Sequence, residues 1–141
     1  MTTPIRYINT DLDLVASYDL GALARALEAR DVFALHVTSG DDGSCSARFE
    51  LNTFADDPGD NLEQTISKIL DAIESFDVSI QSLWLGCSLR EFDIGYECGT
   101  EPWAFNNELT NHTLLRMARV GTSLRITLYP PTPNAAPSTG A

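Results

Sequence analysis

Positive charge is scarce in this chain. Only 9 lysines and arginines stand against 20 aspartates and glutamates in 141 residues, a formal net charge of −11. Nucleic-acid affinity comes largely from cationic side chains that displace counterions from phosphates, so the balance argues against an RNA or DNA partner. An anionic membrane surface is disfavoured on the same ground. Long apolar runs are missing too, and none approaches the roughly 20 residues a membrane-spanning helix needs. The opening residues, Met1 to Arg6, lack the basic block followed by an apolar block of a signal peptide. Cys45, Cys87 and Cys98 leave one thiol over from any pairing, which fits a reducing cytoplasm. There is no Gly-rich phosphate loop and no G-x-S-x-G elbow, so nucleotide chemistry has no support. No internal repeat is present.

What the chain does have is material for one core. Apolar residues make up 43% of it, and the length suits a single domain. Every charge precedes Pro130, so residues 1–129 read as the globular domain and carry the whole imbalance. Residues 130–141, rich in Pro, Ala, Ser and Thr, read as a flexible tail. A strongly acidic domain favours a basic partner and speeds its arrival, although acidity also serves solubility.

Periodicity supplies the elements. Ile8, Thr10, Leu12 and Leu14 alternate with Asn9, Asp11 and Asp13, a strand with one acidic face. Asp19 is placed to cap a helix with the stripe Leu20, Leu23, Ala24 and Leu27. Phe33, Leu35 and Val37 mark a second strand, and Gly40-Asp41-Asp42-Gly43 a hairpin turn. In the third, Cys45, Ala47, Phe49 and Leu51 face one way, and Ser46, Arg48 and Glu50 the other. Asp56-Asp57-Pro58-Gly59 breaks the chain, and Asp60 with Glu63 resembles a capping box for a helix burying Leu62, Ile66, Ile69, Leu70 and Ile73.

Residues 78–87 fit a helix slightly better than a strand. Phe92, Ile94, Tyr96 and Cys98 alternate with Glu91, Asp93, Gly95 and Glu97 as a strand. A helix over 109–120 ends at Gly121, and Leu124, Ile126 and Leu128 alternate in a last strand. Together these predict an α+β two-layer sandwich with a mainly antiparallel sheet and helices on one face, related to the ferredoxin-like split βαβ arrangement. The polar sheet face would gather His36, Arg48, Glu50, Asp93, Arg125 and Tyr129.

Two stretches carry a resemblance. One is Trp84-x-x-Cys87-x-x-Arg90-Glu91-Phe92-Asp93-Ile94-Gly95-Tyr96, followed by Pro102-Trp103-x-Phe105. The other is Leu114-Leu115-Arg116-x-Ala118-x-x-Gly121-x-Ser123-Leu124-x-Ile126-x-Leu128-Tyr129-Pro130. Over residues 84–130 the chain resembles a family of small bacterial domains of unknown function, and before that the likeness is architectural. Some such acidic domains are suspected immunity proteins that neutralise a toxin. The resemblance implies that class and assigns no role to any residue.

Candidate chemistry is thin. Cys87 or Cys98 with His112 or His36 offers a thiol and a base, but cysteines in register with core aromatics read better as small hydrophobes. Zinc wants closely paired ligands that Cys87 and Cys98 do not supply. The run Asp56, Asp57, Asp60, Glu63 lacks a calcium-loop pattern. Glu91 and Asp93, two apart on a strand, share a face and are the best candidate acid–base pair, unless Arg48 or Arg125 neutralises them across the sheet. Trp103 and Phe105 read first as a plug over the open end of the core and second as partner anchors.

No metal, no cofactor and no catalytic residue is expected. The reading is a cytoplasmic, non-enzymatic binding protein for a basic partner, using Glu91, Asp93, Glu97, Trp103, Phe105, Arg48, Arg125 and Tyr129. The alternative is a small-ligand binder or enzyme on the open face with His36, Asp93 and Arg125. A homodimer pairing two such faces would use the same residues.

Overall fold

The computed structural model describes residues 3–52 and 61–131. The acid-faced alternation at the start forms β1, Arg6–Ala16. Helix α1, Gly21–Glu28, follows and buries Leu23 and Leu27. Asp19 accepts from the Gly21 N–H at 2.5 Å, one residue outside the cap position, which Leu20 takes. Strands β2, Val32–Ser39, and β3, Cys45–Leu51, form the expected hairpin. Its turn closes through Gly40, and Gly43 adopts φ 87°, a left-handed value that an L side chain resists.

Helix α2, Leu62–Glu74, buries all five predicted apolar residues. Its cap is Asn61, whose side chain accepts from the Gln64 N–H; Asp56, Asp57, Pro58, Gly59 and Asp60 lie outside the described residues. Residues 78–85 are helix α3, Val78–Leu85, capped by Asp77. Then come β4, Leu89–Glu97, and α4, Asn111–Val120, capped by Thr110 and ended by Gly121 at φ 79°. Strand β5, Ser123–Tyr129, closes the order.

The five-stranded sheet runs β2-β3-β1-β4-β5. All pairings are antiparallel except β4–β5, which the α4 crossover makes parallel. With β3 between β1 and β2, the first three strands form a split βαβ unit. The α+β class with a mainly antiparallel sheet therefore holds.

The core lies between the helices and one sheet face: Leu12 and Leu14, Phe49, Phe92 and Ile94 meet Leu20, Leu23, Ile66, Ile69, Leu70 and Trp84. Burial of that many large apolar side chains, each contributing about 1.5–3 kcal/mol, is the main stabilising term.

Two strands depart from the alternation. In β2 a bulge between Ala34 and His36 shifts the phase. Val32 is buried, while Phe33 pairs with Glu50 on the polar face and Leu35 and Val37 are exposed. In β5, Leu124, Ile126 and Leu128 share the core side with Phe92, Ile94 and Tyr96 yet are exposed. The reason is the seat of α4. Arg116 binds Ser67, Asp71 and Glu74 of α2, and Glu63 of α2 accepts from the Thr110 N–H and from the Thr110 and Thr113 hydroxyls. The helix is drawn over α2 and leaves the edge strand bare.

Among the described residues no helix is long and apolar enough to cross a membrane.

The motif Trp84-x-x-Cys87-x-x-Arg90 is a structural knot. Arg90 donates to the carbonyls of Trp84, Leu85, Cys87 and Gly121, closing the C-terminal end of α3. Trp84 Nε1 donates to the Val120 carbonyl at 2.8 Å, and Tyr18 Oη donates to the Leu83 carbonyl. These bonds join α3, the end of α4 and the start of β4.

Candidate functional site

Because successive strand residues alternate faces, register alone decides which polar side chains meet. On the uncovered face one row crosses all five strands: Phe33, Glu50, Asp11, Asp93 and Arg125. The neighbouring row holds His36, Arg48, Asp13, Glu91 and Ser123. Three carboxylates thus stand directly side by side in the first row, an arrangement that repels unless it is neutralised.

Arg48 does most of the neutralising. Its guanidinium grips Asp13 at both oxygens, 2.7 and 2.8 Å, and reaches Asp11 at 3.2 Å and Asp93 at 3.0 Å. A planar fork suits this multiple engagement, and the Asp13 contacts raise the proton affinity of Arg48 further. Asp93 also accepts from Thr127 Oγ1 at 2.5 Å. Arg125 Nε lies 2.8 Å from Glu91 Oε1, a close ion pair without hydrogen-bond alignment. Arg6 bonds Glu97 at 3.0 Å. The predicted pair Glu91 and Asp93 does share a face, but each is committed to a different arginine.

Asp11 is the exception. It is 5% exposed, and its Oδ1 has no hydrogen-bond donor. Burial first, and then the charge and hydrogen bond of Glu50 and the charge of Asp13, outweigh the pull of Arg48 and push its carboxyl up to about 7. Asp11 therefore keeps its proton from the acidic into the neutral range.

The other candidates scatter. His36 stands opposite Arg48 at the β2 edge, exposed, with Thr38 Oγ1 3.4 Å from its Nδ1. Tyr129 is half-exposed beside Gly95, where a Cβ would meet Tyr129 Cε2 at 3.3 Å and Asn9 Oδ1 at 2.8 Å; the missing side chain makes room for both. Trp103 is 98% exposed, which overturns the plug for that residue. Phe105 packs edge-on to Tyr96, which packs on Tyr7 in turn. A hollow of about 420 Å³ opens there, walled by Ile5, Tyr96, Phe105, Ile126 and Leu128. It sits at the end of the β4–β5 pair and includes neither Asp93 nor Arg125.

Cys45 and Cys87 are buried free thiols. Burial pushes the Cys87 thiol up, which works against nucleophilic use. Among the described residues no group of three or more His, Cys, Asp or Glu is arranged to hold a metal ion.

Sequence reasoning placed Arg48, Glu50, Asp93 and Arg125 on one face but did not single out Asp11 and Asp13 as its centre. The acid-faced alternation of the first strand was the available signal. No family model matches the chain, and no curated protein or solved structure matches it either.

Proposed function

We propose that the protein is a cytoplasmic, non-enzymatic binding module, of immunity type, that offers its acidic sheet face to a basic protein partner. One observation carries the reading: the face is acid-rich. Asp11, Asp13, Glu50, Glu91, Asp93 and Glu97 outnumber Arg6, Arg48 and Arg125 across it. A surface with an excess of one sign suits electrostatic docking of a complementary protein. Catalysis draws little support, because Glu91 and Asp93, the pair that could serve as acid and base, are each tied to an arginine. The alternative, a small-ligand binder or enzyme using His36, Asp93 and Arg125, has less support, since the hollow beside Tyr96 and Phe105 is lined by none of these three residues.

The test is capture of a basic protein from the host at low and at high salt, with the parent and with a variant carrying Glu91→Gln and Glu97→Gln. Both substitutions keep the side-chain shape and release arginines that are more than half exposed, Arg125 and Arg6; a thermal melt of the variant checks that it folds. Salt-weakened capture that drops about tenfold in the variant supports the module, by ~1.4 kcal/mol of lost attraction. Capture indifferent to both salt and variant rejects it.

A further inference from the structure

At the β2–β3 end of the same face, Phe33, Leu35, Glu50, Leu51 and Asn52 wall a hollow of about 220 Å³. Its apolar sides are unusual for an exposed edge, since Leu35 is 56% exposed and Phe33 half-buried. Its one carboxylate is Glu50. Among the described contacts Arg48 spends its bonds on Asp11, Asp13 and Asp93 and forms no ion pair with Glu50. Behind Glu50 stands Asp11 with its buried, donorless Oδ1. Glu50 thus borders the hollow without an arginine of its own among the described contacts.

Resting on the acidic-face reading above, we propose that this hollow receives an arginine or lysine side chain of the basic partner, its aliphatic stem on Phe33 and Leu35 and its head group on Glu50. Long cationic side chains lay their stems on apolar surface and keep the head at a polar rim, and the Phe33 ring face offers a further attraction to the charge. The incoming N–H groups donate to the Glu50 carboxylate, which forms no ion pair with Arg48 among the described contacts. The groups facing the pair are Asp13 on β1, Arg48 on β3 and Asp93 on β4, with His36 on β2 opposite Arg48. Among the described contacts none of them forms an ion pair with Glu50.

The experiment titrates hexa-arginine amide into the isotope-labelled full chain, followed by amide NMR shifts from about pH 5 to about pH 8. The expected shifts concentrate at Phe33, Leu35, Glu50 and Leu51. Affinity rises with pH as Asp11, next to Glu50, loses its proton. Glu50→Gln weakens binding about tenfold. Leu35→Ala, at an exposed site, weakens binding several-fold and keeps the pH dependence, so a folding defect in the first variant would not leave the matter open. Shifts scattered over exposed acids such as Asp19, Asp41 and Asp77, with Glu50→Gln binding as well as the parent, overturn the site. Scattered shifts beside intact capture of a basic protein would reject the hollow and keep the module. Localised shifts with no basic protein recovered would do the reverse.

Discussion

Replacing Asp11 by Asn removes the charge from the middle of three adjacent carboxyls and keeps the shape. The amide can turn its oxygen to Arg48 and its NH2 to Glu50, matching the protonated acid. In the folded chain the Asp11 carboxyl moves from 3.8 to about 7. Each tenfold change in proton affinity corresponds to ~1.4 kcal/mol, so ionising Asp11 in place costs up to about 4 kcal/mol.

The sign follows from proton counting. Between 3.8 and about 7 the folded chain holds a proton that the unfolded chain has released, so stability falls as pH rises through that window. Asp11→Asn is therefore expected to match the parent within ~0.5 kcal/mol near pH 3.5, where both states keep the proton, and to exceed it by about 2–4 kcal/mol near pH 8. For a chain of this length that is a rise in Tm of about 8–15 °C. Urea denaturation of both proteins at a series of pH values measures it. A variant that is destabilised equally at every pH would refute the reasoning, because Asp11 would then be a plain ion-pair partner of Arg48.

Ile94 and Ile126 are register neighbours, yet Ile94 is buried and Ile126 is 59% exposed. Ile94→Ala should lower the unfolding free energy by about 2–5 kcal/mol and Ile126→Ala by less than about 1 kcal/mol; equal losses in urea melts would mean that β5 is covered in solution. Arg116→Ala should cost ~1–3 kcal/mol, because Arg116 bonds Ser67 as well as the carboxylates of Asp71 and Glu74. It should also speed amide exchange in α4 and β5, whereas an exposed ion pair alone would change stability by under ~0.5 kcal/mol. The two tryptophans should quench differently with acrylamide. Trp103→Phe leaves the protected emission of Trp84, and Trp84→Phe leaves freely quenched emission; two equally accessible tryptophans would contradict the seat of Trp84.

The local part of the fold was legible. Leu12, Phe49 and Phe92 were assigned to the core by alternation alone, and the stripe of α2 by its 3.6-residue period, because both patterns are properties of single elements. What failed was information held between elements. The bulge at Ala34–His36 adds a residue that period-2 counting cannot see, so Phe33 moved to the polar face. The spacing of Leu124, Ile126 and Leu128 correctly gives their side of the sheet, but whether a helix covers that side depends on where Arg116 and Glu63 anchor α4. The site shows the same division. Arg48, Asp93 and Arg125 were placed on one face by parity, while the row joining Asp93, Asp11 and Glu50 required the strand order β4-β1-β3, which no single segment encodes.

The two borders of the sheet are not alike. On one side β2 is broken by its bulge and carries His36, Thr38 and Ser39. On the other, β5 runs in unbroken register with β4, and its one charge, Arg125, is already matched by Glu91. Strand addition needs a regular margin, so β5 offers the better template of the two edges and β2 the poorer one. Pairing along β2 would have to iron out the bulge first.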